Sequence, residues 1–121
     1  MERRLAAILA ADVVGYRRLM AEDEAGTLAA LKAQRRELVE PRLPRYSGRT
    51  IKLMGDGVLM EFGSIVDAVA FAAEVECAML QRNAEVPENR RISYRIGINI
   101  GDIIVEGDDI YGDGVKGGAK R

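Results

Sequence analysis

The chain has 121 residues, the size of one domain, and its 48% hydrophobic content is enough to build a core. Lys and Arg number 18 against 19 Asp and Glu, so a net charge of −1 gives no field for nucleic acid or an anionic membrane, and 31% charged residues leave no apolar run of roughly 18 residues for a helical span. One Cys and no His exclude a disulfide framework, an ordinary zinc site and His-dependent nucleophilic catalysis, leaving carboxylates and hard cations as the available metal chemistry.

Met1 to Arg4 lead straight into the apolar run Leu5 to Val14, which carries Asp12 near its end and stops at Gly15. The run lacks the cleavage pattern of a signal peptide, so a cytoplasmic protein is expected. It suits a buried strand, although its alanines suit a helix as well. From Tyr16 to Glu40 the pattern is helical, with Leu28, Leu31 and Leu38 on one face. Acidic Glu22, Asp23 and Glu24 come early, basic Lys32, Arg35 and Arg36 come late, and Pro41 and Pro44 close the segment. Gly26 marks a weak point inside it.

A hairpin follows: Arg49 to Met54, the turn Gly55-Asp56-Gly57, then Val58 to Phe62. Ser64 with Asp67 three residues on is a capping-box start for a second helix. Its expected buried stripe is Val66, Ala70, Ala73, Cys77 and Leu80. Ile92, Tyr94, Ile96, Ile98 and Ile100 alternate with polar or small residues, the pattern of a strand with one face on a core. Gly101-Asp102 is read as a turn into a short strand, Ile103 to Glu106, ahead of a tail rich in Gly, Asp and Lys. The order β-α-β-β-α-β-β predicts an α+β domain over residues 1–121: a ferredoxin-like βαββαβ core, an antiparallel sheet with helices on one face. That plan by itself assigns no activity.

Two carboxylates carry the chemical signal. Asp12 ends an apolar strand, where a charge is costly without a partner or a metal. Asp56 sits in the hairpin turn. In a βαββαβ sheet the first and third strands are neighbours, so the two can meet at one edge and hold a divalent cation, with phosphate and water completing its shell. The plainer readings stand beside this one: Asp56-Gly57 is also ordinary hairpin chemistry, and Asp12 could cap the helix that follows. The amides of Val13-Val14-Gly15 lie where a triphosphate could be received.

Four blocks, Ala11-Asp12-Val13-Val14-Gly15-Tyr16, Lys52-Leu53-Met54-Gly55-Asp56-Gly57, Arg95-Ile96-Gly97-Ile98-Asn99 and Asp109-Ile110-Tyr111-Gly112-Asp113, resemble in order the class III nucleotidyl cyclases, in particular the bacterial adenylyl cyclases. The resemblance spans nearly the whole chain. It implies that Asp12 and Asp56, with the Val13 carbonyl, bind two Mg²⁺ or Mn²⁺ ions. Val14, Gly15 and Tyr16 would border the triphosphate of ATP, and Lys52 and Asp109 would read the base. A Lys donor and a carboxylate acceptor match the ring nitrogen and amino group of adenine, whereas guanine presents the opposite pattern.

The resemblance also implies a head-to-tail homodimer, or pairing with another cyclase domain, in which each site is shared. Met54, Val58 and Met60 belong either to that interface or to the core. Where the family has a ribose-orienting Asn and a transition-state Arg, this chain has Lys116 and Lys120, with Gly117-Gly118 between them. The last third of the family domain is not matched, so a C-terminally incomplete domain is expected. An impaired fragment serving nucleotide binding or dimerisation is the alternative to an active cyclase.

Overall fold

The computed structural model describes residues 2–106 and 109–112. Strand β1 (Glu2–Val13) leads into two short helices, α1 (Tyr16–Glu22) and α2 (Glu24–Gln34), and α2 runs on as a π-helical turn, Arg35–Val39. A 3₁₀ turn at Leu43–Tyr46 precedes the hairpin β2 (Gly48–Met54) and β3 (Gly57–Phe62). Helix α3 (Ile65–Asn83), a 3₁₀ turn at Glu88–Arg90, and strands β4 (Tyr94–Glu106) and β5 (Asp109–Gly112) complete the order. The strands form one antiparallel sheet in the order β2-β3-β1-β4-β5, so β1 lies between β3 and β4, as the βαββαβ plan requires.

Alternation along β1 divides its residues between the two faces of the sheet. Ala7, Leu9, Ala11 and Val13 join Met60 and Phe62 of β3 and Ala68, Phe71, Val75 and Met79 of α3 in the main core. Ala6, Ile8 and Ala10 form a second buried cluster with Leu59, flanked by Ile51 and Met54. The hairpin methionines are therefore core: Met60 is buried, Met54 packs on the second cluster, and Val58 packs on the first. Among the described residues no helix is long and apolar enough to cross a membrane.

The structure bears out a weak point in the first helix, locating it at Asp23, and corrects the sequence reading on α3 and beyond Ile100. The helix expected from Tyr16 to Glu40 breaks at Asp23, whose side chain caps α2 by accepting from the Gly26 amide at 3.0 Å and pairs with Arg90. That amide is the leading cause holding the Asp23 carboxyl below its ordinary range. Thr27 Oγ1, donating to the Leu19 carbonyl at 3.0 Å, ties the two helices together. On α3, Ser64 caps as predicted, accepting from the Asp67 amide at 3.1 Å, but the buried stripe is Ala68, Phe71, Val75 and Met79. Val66 and Leu80 are 72% and 73% exposed, and Ala73 and Cys77 are also exposed. So much of this helix is apolar that several stripes at helical spacing compete, and the bulk of Phe71 and Met79 decides which faces the sheet.

Gly101-Asp102 does not turn the chain. Strand β4 runs through it because β1 pairs with β4 continuously from Val13↔Tyr94 to Glu2↔Val105. The alternating residues behave as expected only up to a point, since Ile100 is 56% exposed. The last strand of the sheet is Asp109–Gly112, inside the segment read as a tail.

Candidate metal and nucleotide site

Two contacts assemble the end of the sheet where β1 stops. Asp12 lies opposite Gly57 in β3 and opposite Arg95 in β4. The Val13 amide donates to the Asp56 carbonyl at 2.9 Å, which fastens the hairpin turn to the end of β1. Gly57 permits this approach: a Cβ there would stand 2.6 Å from the Ala11 carbonyl oxygen and 3.3 Å from Asp12 Cβ. Asp12, Val13 and Asp56 are thus brought together, as the strand order predicted.

Asp12 is buried and Asp56 is exposed. The cap reading of Asp12 falls away, because Gly15 is the N-cap of α1 and no side chain caps that helix. Gly15 turns the chain there with φ 66°, a left-handed conformation suited to glycine. Among the described residues no group of three or more His, Cys, Asp or Glu gathers around a possible metal. The carboxylates of Asp12 and Asp56 are hard oxygen donors, a chemistry that fits Mg²⁺ or Mn²⁺ and does not fit zinc.

Arg95 is the partner that the sequence reading did not assign. Its Nε donates to Asp12 Oδ1 at 3.2 Å, while its side chain stays 66% exposed. A buried carboxylate is thereby charge-compensated by a guanidinium that can move into solvent. Only the β1–β4 register reveals the pair, because the two residues lie far apart in sequence.

The other predicted residues are placed less closely. The Val14 amide donates to the Ser93 carbonyl at 2.9 Å, so it is taken by the chain and is not offered to a phosphate. Gly15 is exposed and Tyr16 packs on the main core. Lys52 is exposed on β2 opposite Leu59, on the same sheet face as Asp12. Asp109 opens β5 opposite Glu106, on the other edge strand, so the sheet does not place Lys52 and Asp109 side by side. Lys116 and Lys120 lie outside the described residues.

The βαββαβ sheet, with Asp12 near the end of β1 and Asp56 in the adjoining hairpin turn, has the topology that the resemblance to nucleotidyl cyclases predicted. The chain is 48% identical to an adenylate/guanylate cyclase/hydrolase from Silicibacter pomeroyi, whose crystal structure it matches with a TM-score of 0.90 over 98% of this chain and 69% of that one. The chain belongs to the adenylyl/guanylyl cyclase catalytic-domain family.

It is also 52% identical over 120 residues to a putative adenylate cyclase 3 of Rhizobium meliloti (strain 1021), covering 99% of this chain but only 20% of the length of that relative. At 16% identity, a non-canonical dimeric guanylyl cyclase domain from the aquatic fungus Blastocladiella emersonii shares the fold, with a TM-score of 0.81 over 98% of this chain and 74% of that one. No family model matches the chain.

Proposed function

We propose that residues 1–121 form the larger part of one cyclase catalytic domain, and that the domain converts ATP into cyclic AMP and pyrophosphate for intracellular signalling in the cytoplasm. The observation that carries this reading is the convergence of Asp12 and Asp56 through the Val13–Asp56 hydrogen bond and the Asp12↔Gly57 register. In the reaction the ribose 3′-oxygen bonds to the α-phosphorus, the bond from that phosphorus to the leaving β-phosphate oxygen breaks, and the 3′-hydroxyl proton is released. Two divalent ions held by Asp12, Asp56 and the Val13 carbonyl would supply Lewis-acid activation of the 3′-hydroxyl and charge neutralisation of the leaving pyrophosphate.

The residues of the chain prepare that event. Asp12 and Asp56 hold negative charge at one fixed place, and Arg95 compensates Asp12 until cations take over that role. Freed from Asp12, the Arg95 guanidinium remains beside the anionic part of the substrate, where a planar fork suits phosphate oxygens. Lys52 and Asp109 are the proposed adenine readers. They act across the head-to-tail dimer that the resemblance to class III cyclases implies.

A second reading is favoured by Lys116 and Lys120, which stand where the family has Asn and Arg. Lys lacks both the amide acceptor and the planar fork, and loss of one transition-state donor typically costs about 10²–10³ in rate. On this reading the chain binds nucleotide or a second cyclase domain with little turnover. Calorimetry with ATP, with and without Mn²⁺, tests the shared premise: affinity should require metal and collapse in Asp56→Ala, and metal-independent binding would sink it. Cyclic AMP formation by the chain alone and mixed with an intact cyclase domain separates the two readings. Turnover only in the mixture supports the second.

A further inference from the structure

A cavity of about 120 Å³ lies between the helices and the sheet, with the β2–β3 turn among its walls. Leu9, Val39, Met60, Phe71, Val75 and Ile96 give it apolar walls, and Arg35 and Tyr94 also line it. Space of this size with mainly aliphatic and aromatic walls takes a guest of about six carbons. Its roof includes the π-helical turn Arg35–Val39, an irregularity that often marks a functional position in a helix.

Two charged side chains line the cavity, Arg35 beside Tyr94 and Asp56 in the β2–β3 turn. Arg35 is half-buried and has no ion pair with a carboxylate among the described residues. Arg35 and Tyr94 line the cavity together, which sets the guanidinium at that wall. The Tyr94 hydroxyl is itself satisfied, donating to the buried Gln34 Oε1 at 2.5 Å. Neighbouring Arg82 and Arg36 are both engaged by Glu37. Arg35 thus stands beside an apolar chamber with no carboxylate partner among the described residues.

We infer that this cavity binds a small apolar monocarboxylate, of about the size of hexanoate, with its tail among Leu9, Phe71 and Ile96 and its carboxylate on Arg35. An ammonium of the same length is repelled there, and a neutral alcohol gains the apolar contacts alone. Val13 and Asp56 also line the cavity, so a bound guest touches the wall that carries the hairpin turn. The binding itself does not depend on the cyclase reading, because its readout is occupancy.

The test is a titration of the protein with hexanoate, hexanol and hexylammonium, followed by methyl resonances of Val39, Val75 and Ile96. Hexanoate at concentrations up to about 10 mM should shift these methyls saturably, with hexylammonium at least about tenfold weaker. Arg35→Gln should weaken hexanoate about tenfold and leave hexanol unchanged, while Arg35→Lys keeps the preference for the anion. Val39→Phe, which fills the chamber, should abolish all binding, with far-UV circular dichroism confirming that each variant is folded. Equal affinity for hexanoate and hexylammonium, an unaltered Arg35→Gln, or no saturable shift in the cavity methyls would overturn the inference.

Discussion

On the helix-covered face of the sheet, Ala7, Leu9, Ala11 and Val13 of β1 meet large side chains from α3 and β3. On the opposite face, Ala6, Ile8 and Ala10 are equally buried in a cluster whose other described members come from β2 and β3. Charged side chains take up the shielding there. Glu61, 6% exposed, is held by Arg4 from β1 and by Arg49 from β2 through Nε at 2.8 Å, and Arg95 reaches Asp12. One strand therefore serves a core on one side and a charged platform on the other. The catalytic candidates Asp12, Lys52 and Arg95 all belong to the platform. Long Arg stems can cover apolar surface while their heads stay available to an anion.

Adjacent residues of β3 give the sharpest way to break this contrast. Phe62 faces the covered side, 1% exposed and 5.0 Å from Phe71 between ring centroids. Phe62→Ala should cost about 3–5 kcal/mol in denaturant unfolding, a transfer loss plus a cavity. Its neighbour Glu61 faces the platform. Glu61→Ala should cost about 1–3 kcal/mol, because two guanidinium groups lose their shared acceptor. Glu61→Met should recover most of that loss if shielding is the main role, since a buried ion pair replaced by a hydrophobe of similar volume is often neutral. Equal losses in Ala and Met would mean that the charge itself holds β1, β2 and β3 in place.

The hairpin turn sharpens the contrast over two residues. A Cβ at Gly57 meets the Ala11 carbonyl, whereas a Cβ at Gly55 meets nothing within 4 Å. Gly57→Ala should therefore lower stability by about 1–2 kcal/mol and weaken metal-dependent nucleotide binding, as β3 is pushed from Asp12. Gly55→Ala should stay within about 0.5 kcal/mol. The smallest effect belongs to Tyr94 on the covered side, whose hydroxyl is pushed up to about 12, chiefly by burial. A raised folded value keeps the neutral form favoured, so its contribution is complete below the ordinary tyrosine value of 10.0 and is lost as pH rises towards 12. Ultraviolet titration should show one tyrosine ionising late, and Tyr94→Phe should remove that step.

Much of this architecture could be read from residue patterns. The hairpin around Asp56, the Ser64 cap, and the neighbouring of the first and third strands follow from local turn chemistry and from topology. Burial was harder to read on α3, where Val66, Ala73 and Leu80 have the same spacing as the true inward stripe. Only the competing bulk of Phe71 and Met79, meeting a particular sheet surface, resolves it. Gly101-Asp102 looked like a turn because local composition cannot register a partner strand near the other terminus that holds it extended.

The site shows the same division. Asp12 and Asp56 could be paired from strand order, and Lys52 could be set on an exposed strand. The Asp12–Arg95 bond and the use of the Val14 amide by Ser93 depend on register, which no local pattern encodes.

The pairing of β1 with β4 also governs when the protein can fold. Val13 finds its partner at Tyr94 and Glu2 at Val105, so β1 must wait for a strand that is synthesised much later. At a synthesis rate of about 5–20 residues per second, that delay is roughly 5–20 s. During it the run Leu5 to Val14 lacks the central half of its pairing, and its apolar side chains face the surroundings on at least one side. The emerging chain thus exposes an apolar segment while it waits, and closure of contacts this distant in sequence makes its folding slow compared with a helical bundle of equal length.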